Sequence, residues 1–260
     1  MELKLFYTIV MFFFGLIFGS FYNVVGWRLP IGLSIVRPSG SFCPKCRHKL
    51  RWYENIPVFS FLIQGGKCRK CKEKISKFYI TIELLTGILF ALSYYLLGFS
   101  FNFFLALIVS SFFVIVLVSD LKFLVIPDEV TVFLTLLLFI VRVIFYGFGD
   151  AFHFLLYGFI AFICMYSLML LGNFLFKKES LGGGDIKLMF FIGCCIGPWM
   201  SFVAIFLSSV LAIPFALIVI LFKKENIIPF GPFLLASCLI LVLSRLNIDK
   251  ILDIIINTGI

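Results

Sequence analysis

The sequence predicts an all-α polytopic membrane protein of about eight transmembrane helices with one small cytoplasmic loop domain. Three observations carry that prediction. Of 260 residues, 62% are hydrophobic and 13% charged, with 36 Phe, a balance far more apolar than soluble domains show. The apolar residues gather into runs of spanning length, about 20 residues per crossing. Lys and Arg, finally, are distributed unevenly between alternate loops.

The runs read in order as 5–27, 78–97, 101–118, 130–146, 151–176, 186–199, 200–222 and 230–246. The first is retained as a helix rather than a signal peptide. Only Lys4 precedes it in the way of basic residues, no small-residue cleavage site follows, and its basic residues come after the segment. Run 186–199 is short and ends at Gly197-Pro198. It reads either as a crossing that starts inside the membrane face or as half of a re-entrant hairpin. The chain divides into a first helix (1–30), a loop domain (31–77) and a larger transmembrane domain (78–260).

Segments 28–77, 120–129, 177–187 and 223–225 carry 18 of the 22 Lys and Arg, and the opposite side carries Lys4, Arg142, Arg245 and Lys250. The positive-inside bias puts the 18-charge side in the cytoplasm and both termini outside. The net charge of +9 follows from this asymmetry and suits anionic inner-leaflet lipid. It is no argument for nucleic acid.

The loop domain holds Cys43-Pro-Lys-Cys46 and Cys68-Arg-Lys-Cys71, two C-x-x-C pairs with 21 residues between them. That is close to the spacing of a four-thiolate zinc site. Two disulfides are the alternative, but they need an oxidising compartment, and the charge count puts the loop in the reducing cytoplasm. So short a segment, with few apolar clusters, cannot fold on burial alone, and the metal is expected to supply its stability. Cys164, Cys194, Cys195 and Cys238 sit in apolar runs and read as small core residues. His48 and His153 are poor candidate ligands, and no Ser-His-Asp or H-E-x-x-H arrangement is present.

Two aspartates lie beside the apolar runs. Asp120 ends the stretch from Phe101, and Asp185 closes Gly182-Gly183-Gly184. An ionisable residue at membrane depth is costly and marks a functional site by default. On the topology above, helix three runs inward to Asp120 and helix six runs outward from Asp185, so both carboxylates reach the cytoplasmic face. Paired carboxylates that share one proton can activate a water. Taken singly, each has a plainer reading: Asp185 as a helix N-cap and Asp120 as a solvated charge. Asp128, after Pro127, reads as a cap. Lys122 and Lys187 add positive potential nearby.

These residues resemble the type IV prepilin peptidases, a family of leader peptidase and N-methyltransferase enzymes. Gly19-Ser-Phe-Tyr-Asn23-Val-Val-Gly-Trp-Arg28-Leu-Pro30 is similar to the family's first-helix signature. The cysteine pairs, Trp52-Tyr-Glu54-Asn55-Ile-Pro57 and Gly65-Gly66-Lys67-Cys68 resemble its cytoplasmic domain, followed by Glu83-Leu-Leu-Thr-Gly87. Asp120 with Ile126-Pro127-Asp128, Gly182-Gly-Gly-Asp185-Ile-Lys187 and Pro229-Phe-Gly231-Pro232-Phe resemble the remaining motifs in order. Tyr22, where Leu is more usual, and a short loop from Leu29 to Cys43 are the departures, and they bear on substrate preference.

The resemblance implies a bifunctional enzyme of the cytoplasmic membrane. Asp120 and Asp185 would be catalytic, cleaving the basic leader of prepilins or pseudopilins after a glycine, within a peptidase domain spanning 78–260. The new N-terminal amine would then be methylated from S-adenosylmethionine. Retention of Cys43, Cys46, Cys68 and Cys71 favours the two-step version. No G-x-G-x-x-G follows a predicted strand, so a Rossmann-type donor site is unsupported, and Gly66 and Glu54 stand as the cofactor-binding candidates. An archaeal-type preflagellin peptidase fits less well, because the cysteine pairs and first-helix motif are present. A transporter with the aspartates as an ion site would show inverted repeats, and none is seen.

Overall fold

A computed structural model describes residues 2–37, 40–43, 45–177, 182–223 and 229–246. Lys178, Lys224 and Lys250 of the orientation count lie outside them. The chain divides into two compact units, Met1–Gly98 and Phe99–Ile260. Among the described residues the only β structure is two isolated bridges, Phe42 to Lys49 and Lys67 to Lys74.

In the first unit α1 (Glu2–Arg28) packs along α3 (Lys77–Leu97), and between them in sequence lie the cysteine loop and a short helix, α2 (Phe59–Ile63). Lipid offers no hydrophobic drive for helices to associate, so close approach through small residues does the work. A Cβ on Gly15 would come 2.6 Å from the Thr86 carbonyl oxygen, and one on Gly19 would come 2.8 Å from the Glu83 Cα. Gly87 answers from α3, where a Cβ would meet Leu16 at 2.9 Å. Polar ties reinforce this contact. Asn23 Nδ2 donates to the Tyr79 carbonyl at 3.3 Å. The buried Glu83 carboxylate accepts the Val58 N–H at 2.8 Å, which ties the cysteine loop to α3. Ser76 caps α3 by accepting the Phe78 N–H.

The second unit is built around α4 (Phe101–Phe123), which is begun by a Ser100 cap and packs on α5 (Asp128–Tyr146) and α8 (Gly231–Ser244). Phe103, Val109, Phe112, Val114, Val116 and Val118 are all buried. Phe112 meets Phe191 edge-to-face at 4.8 Å, which seats α7 (Gly183–Lys223) on the core helix. Next to α7 runs α6 (Phe148–Phe176). Their approach depends on Gly193, where a Cβ would come 2.8 Å from the Gly158 Cα. Elsewhere α6 exposes Ile160, Ile163 and Leu170, as a lipid-facing surface does.

Among the described residues six helices, α1 and α3 to α7, are long and apolar enough to cross a membrane, and α8 with 14 residues is shorter. The chain is therefore a multi-pass membrane protein. Of the eight expected runs, 186–199 and 200–222 are joined in α7, a 41-residue stretch. It is not one rod. Gly197 breaks it with φ 79° and ψ 169°, and the first part, 183–196, is only about 21 Å long at 1.5 Å per residue. Residues 198–223 measure about 39 Å on the same rise. Phe215 of the second part meets Phe233, in the first turn of α8, with ring centroids 5.5 Å apart, and Gly231 of that same turn lies against Asp120, at the end of the unit where α7 begins. The stretch after Gly197 must therefore fold back beside the first part.

Arg142 closes the turn of this hairpin. It is buried on α5, and its Nη2 donates to the Cys194 and Cys195 carbonyls at 3.4 and 3.2 Å. These are carbonyls that a helix end leaves without intrahelical partners. Its Nη1 donates to Asp150 at 3.3 Å, and its guanidinium lies 3.3 Å from the Phe154 ring centroid. An arginine in this position is stabilised as a helix C-cap.

Candidate active site and metal centre

Four helix ends converge at the opposite end of the second unit. Asp120 sits in the last turn of α4, buried at 6% exposure, so it is not the solvated charge of the plainer reading. Leu124 ends α4 in the left-handed region with φ 54°, its N–H on the Asp120 carbonyl at 3.0 Å. That turn sends the chain through Val125, Ile126 and Pro127 into α5. Asp185 lies in the first turn of α7, its N–H on the Gly182 carbonyl at 3.1 Å.

The two aspartates line one cavity of about 450 Å³. With them stand Leu124 to Ile126, Asp128, Gly182 to Gly184, Lys187, Pro229 and Phe230. Asp120 is close enough for its charge to act on Asp185. The Gly231 N–H, at the α8 start, donates to the Asp120 carboxylate, as helix N-termini do for anions. Glycine is required there for space. A Cβ on Gly231 would come 3.0 Å from Ile126 Cδ1, 3.1 Å from Asp120 Oδ2 and 3.2 Å from Val116 Cγ1. Gly184 is similarly tight, with a Cβ 3.0 Å from Ile126 Cδ1, whereas one on Gly183 would meet nothing within 4 Å.

Two expectations are corrected at this site. Asp128 is not a cap: α5 starts after Pro127 with no side-chain cap, and the Asp128 carboxylate accepts Lys187 Nζ at 2.7 and 2.8 Å. Lys187 does reach the cavity, but its ammonium is engaged by Asp128 instead of being left to act on the aspartate pair.

In the first unit the cysteine pairs form matching turns. Cys43 N–H donates to the His48 carbonyl and Arg47 N–H to the Cys43 carbonyl; Cys68 N–H donates to the Glu73 carbonyl and Lys72 N–H to the Cys68 carbonyl. Arg47 and Lys72, each directly after the second cysteine of its pair, both take positive φ, 53° and 58°. A Lys45–Glu73 ion pair links the two turns. All four Sγ atoms lie within 4.8 Å of one another, with Cys43 to Cys71 at 3.8 Å and Cys46 to Cys68 at 3.9 Å. Those separations are too long for disulfides. They match the edges of a zinc tetrahedron, about 3.8 Å for bonds of about 2.3 Å. Four thiolates of this geometry fit zinc.

Glu54 and Gly66 flank these turns. Glu54 is buried, accepting the Arg51 N–H at 2.8 Å and lying 3.4 Å from His48 Nε2. The Arg51 N–H, with His48, holds its carboxyl below the ordinary glutamate value. It is not the solvated charge that sequence alone allows. Gly66 has φ 66°, and a Cβ there would come 3.0 Å from the Phe61 ring.

Sequence reasoning missed the Gly231 contact, the Ile126 wedge and the Asp128–Lys187 pair. The Phe-Gly-Pro run was visible as a motif, but nothing local shows that its glycine touches an aspartate more than a hundred residues earlier.

Comparison with known proteins bears directly on this pairing of a cysteine loop with a two-aspartate cavity. The bacterial peptidase A24 N-terminal domain matches residues 13–97, and the type IV leader peptidase family matches residues 107–217. The prepilin leader peptidase/N-methyltransferase of Bacillus subtilis (strain 168) is 36% identical over 241 residues, 89% of this chain and 92% of that one. Its Vibrio cholerae serotype O1 counterpart is 33% identical over 253 residues, 92% and 97% of the two chains. That of Klebsiella pneumoniae is 35% identical over 214 residues, 79% and 90%. No solved structure matches the chain. With two family domains in sequence and relatives matched over nearly their full lengths, the chain belongs to the type IV leader peptidase family.

Proposed function

We propose that the protein is a membrane aspartic endopeptidase that cleaves the leader of type IV prepilins or pseudopilins after a glycine, and then N-methylates the new N-terminal residue. The observation that carries the peptidase reading is the shared cavity of Asp120 and Asp185, at the meeting of four helix ends. A cavity of about 450 Å³ admits a few residues of extended peptide, in line with ordinary ligand pockets. One carboxylate, ionised, takes a proton from water, and the resulting hydroxide adds to the scissile carbonyl. The other, protonated, donates to the carbonyl oxygen, and the amine leaves with a proton when the C–N bond breaks. The acid and base roles belong to the pair.

The charge asymmetry of the loops supports a cytoplasmic-face site in the inner membrane, where a substrate with an apolar membrane segment and a cytoplasmic leader would present its scissile bond. We assign 1–30 to the first helix, 31–77 to the metal domain and 78–260 to the peptidase domain. Cys43, Cys46, Cys68 and Cys71 would hold a structural zinc that stabilises the loop. S-adenosylmethionine would supply an electrophilic methyl group. Gly66 and Glu54 are the residues proposed to flank this donor. With Glu54 committed to Arg51 and His48, its part would be to fix the shape of the loop beside Gly66.

Purified protein incubated with a prepilin tests the reading, with products resolved by mass spectrometry. Loss of the leader by the wild type, and no cleavage by Asp120→Asn or Asp185→Asn with membrane insertion and metal content unchanged, is the expected result. An Asp120→Asn protein that cleaves at the wild-type rate rules out the pair.

A further inference from the structure

Asp120 and Asp185 stand on helices separated by some sixty residues of sequence, and only a few contacts fix one against the other. From Asp120 the chain leaves α4, passes through Leu124 to Pro127 and enters α5 at Asp128. From Asp185 it is two residues to Lys187, in the first turns of α7. Both Asp128 carboxylate oxygens accept Lys187 Nζ, at 2.7 and 2.8 Å. Asp120, the α4–α5 linker, Asp128, Lys187 and Asp185 thus form a ring closed by one ion pair, with the cavity on its open side. Within the ring Ile126 is wedged between Gly184 and Gly231, where an added Cβ on either glycine would come 3.0 Å from its Cδ1. The wedge resists closing of the ring. Nothing in the wedge resists opening, and an attractive pair does.

Resting on the reading of Asp120 and Asp185 as the cleaving pair, we propose that Asp128 and Lys187 form a positioning clasp that sets the separation of those two carboxylates and keeps the lysine ammonium off them. Among the described residues, the charged groups that line the cavity are Asp120 from α4, Asp128 from α5, and Asp185 and Lys187 from α7; Pro229 and Phe230, before α8, are uncharged. Among the described residues that line the cavity, Asp120 and Asp185 are the carboxylates left to accept Lys187 once it is released from Asp128. A carboxylate pair bound to an ammonium holds its shared proton less well. The clasp contributes little to stability, because its side chains are 50% and 63% exposed and exposed pairs are weak. Its variants therefore fold, and their defect is one of geometry and charge at the site.

Steady-state cleavage of a prepilin by Asp128→Asn, Lys187→Met, the double variant and Lys187→Arg tests this, with Glu129→Gln as the control on the same exposed helix turn. Displacing a reacting group by 1 Å costs about a hundredfold, so half that displacement gives a kcat loss of about tenfold in each single variant. KM stays near the wild-type value, because the rest of the lining, Leu124 to Ile126, Gly182 to Gly184, Pro229 and Phe230, is unchanged. The double variant is no worse than either single one, and Lys187→Arg recovers most of the rate. Wild-type kcat in both single variants, losses that multiply in the double, or a defect confined to KM would each overturn the clasp. If those results come with an inactive Asp120→Asn protein, the clasp fails while the catalytic pair stands. An active Asp120→Asn protein instead removes the pair itself.

Discussion

Replacing Gly231 by alanine tests whether main-chain packing against Asp120 matters for cleavage. The added Cβ would lie 3.0 Å from Ile126 Cδ1, 3.1 Å from Asp120 Oδ2 and 3.2 Å from Val116 Cγ1. Restoring ordinary contact, about 3.4 Å or more, requires shifts of a few tenths of an ångström, shared between the α8 start and the Asp120 carboxylate. Ile126 cannot absorb them freely, since it is also against Gly184. If 1 Å of misplacement costs about a hundredfold, a shift of about 0.4 Å costs about sixfold in rate. Stretching the Gly231 N–H bond to the carboxylate removes part of a charge-assisted interaction worth about 1.5–3 kcal/mol. Together these give a fall of about 10- to 50-fold in kcat. Gly149→Ala is the matched control, because an added Cβ there meets nothing within 4 Å. Rates measured on prepilin with both variants, alongside thermal unfolding in detergent, decide the matter. Full activity of Gly231→Ala would refute the packing argument, as would a loss explained by unfolding.

Further outcomes follow from other sites. Cys43→Ser and Cys68→Ser should release zinc, measured by metal analysis, and abolish methylation while cleavage falls less, since the aspartates are untouched; full methylation by metal-free protein would exclude the loop from the transfer step. Arg142→Leu removes the cap on the Cys194 and Cys195 carbonyls. It should destabilise the protein by about 1–3 kcal/mol, seen as a lowered unfolding temperature, and an unchanged temperature would show that the carbonyls find other partners. Gly19→Leu should disrupt the α1–α3 contact, where Glu83 and Thr86 leave no room for a side chain, and protease sensitivity of the cysteine loop would report it. A membrane-impermeant thiol reagent should label cysteines introduced at Gly98 and Gly149 but not at Lys72; labelling at Lys72 would reverse the orientation.

Some of this was legible in the sequence and some was not, for definite reasons. Apolar runs report how long a segment is, so the order and approximate limits of the helices could be read. They do not report where a helix bends. Only Gly197-Pro198 hinted that 186–199 and 200–222 would be one broken stretch. The cysteine spacing encodes a local turn repeated twice, and the structure brings all four sulfurs together. Asp120 and Asp185 were expected on one face from topology, and they do line one cavity. The partners of those aspartates were not legible. Whether Asp128 caps a helix or holds Lys187 depends on which helix end lies opposite, and that is decided by packing among α4, α5, α7 and α8. Gly15 and Gly19 carried a readable signal, small residues four apart on one helix face, whose meaning needed Gly87 and Thr86 opposite.

The break in α7 decides where the stretch that carries Asp185 is held and where it can move. Its first part, 183–196, is about 21 Å long, short of the roughly 30 Å hydrocarbon core. A rod that does not span is not fixed in depth by its own two ends, so other contacts must set its position. At the Gly197 end Arg142 takes its last carbonyls. Along its length Phe191 meets Phe112 of the central helix, and Gly193 lets it lie against Gly158. At the Asp185 end Gly184 rests on Ile126 and Lys187 reaches Asp128. Of these, the Arg142 and aromatic contacts are buried, whereas the Lys187 pair is half-exposed. Movement of α7 is therefore easiest at its Asp185 end, with Gly197 as the far pivot. The same end has open space at Gly183, so on the proposed function a peptide entering the cavity would meet the part of α7 with the fewest buried restraints.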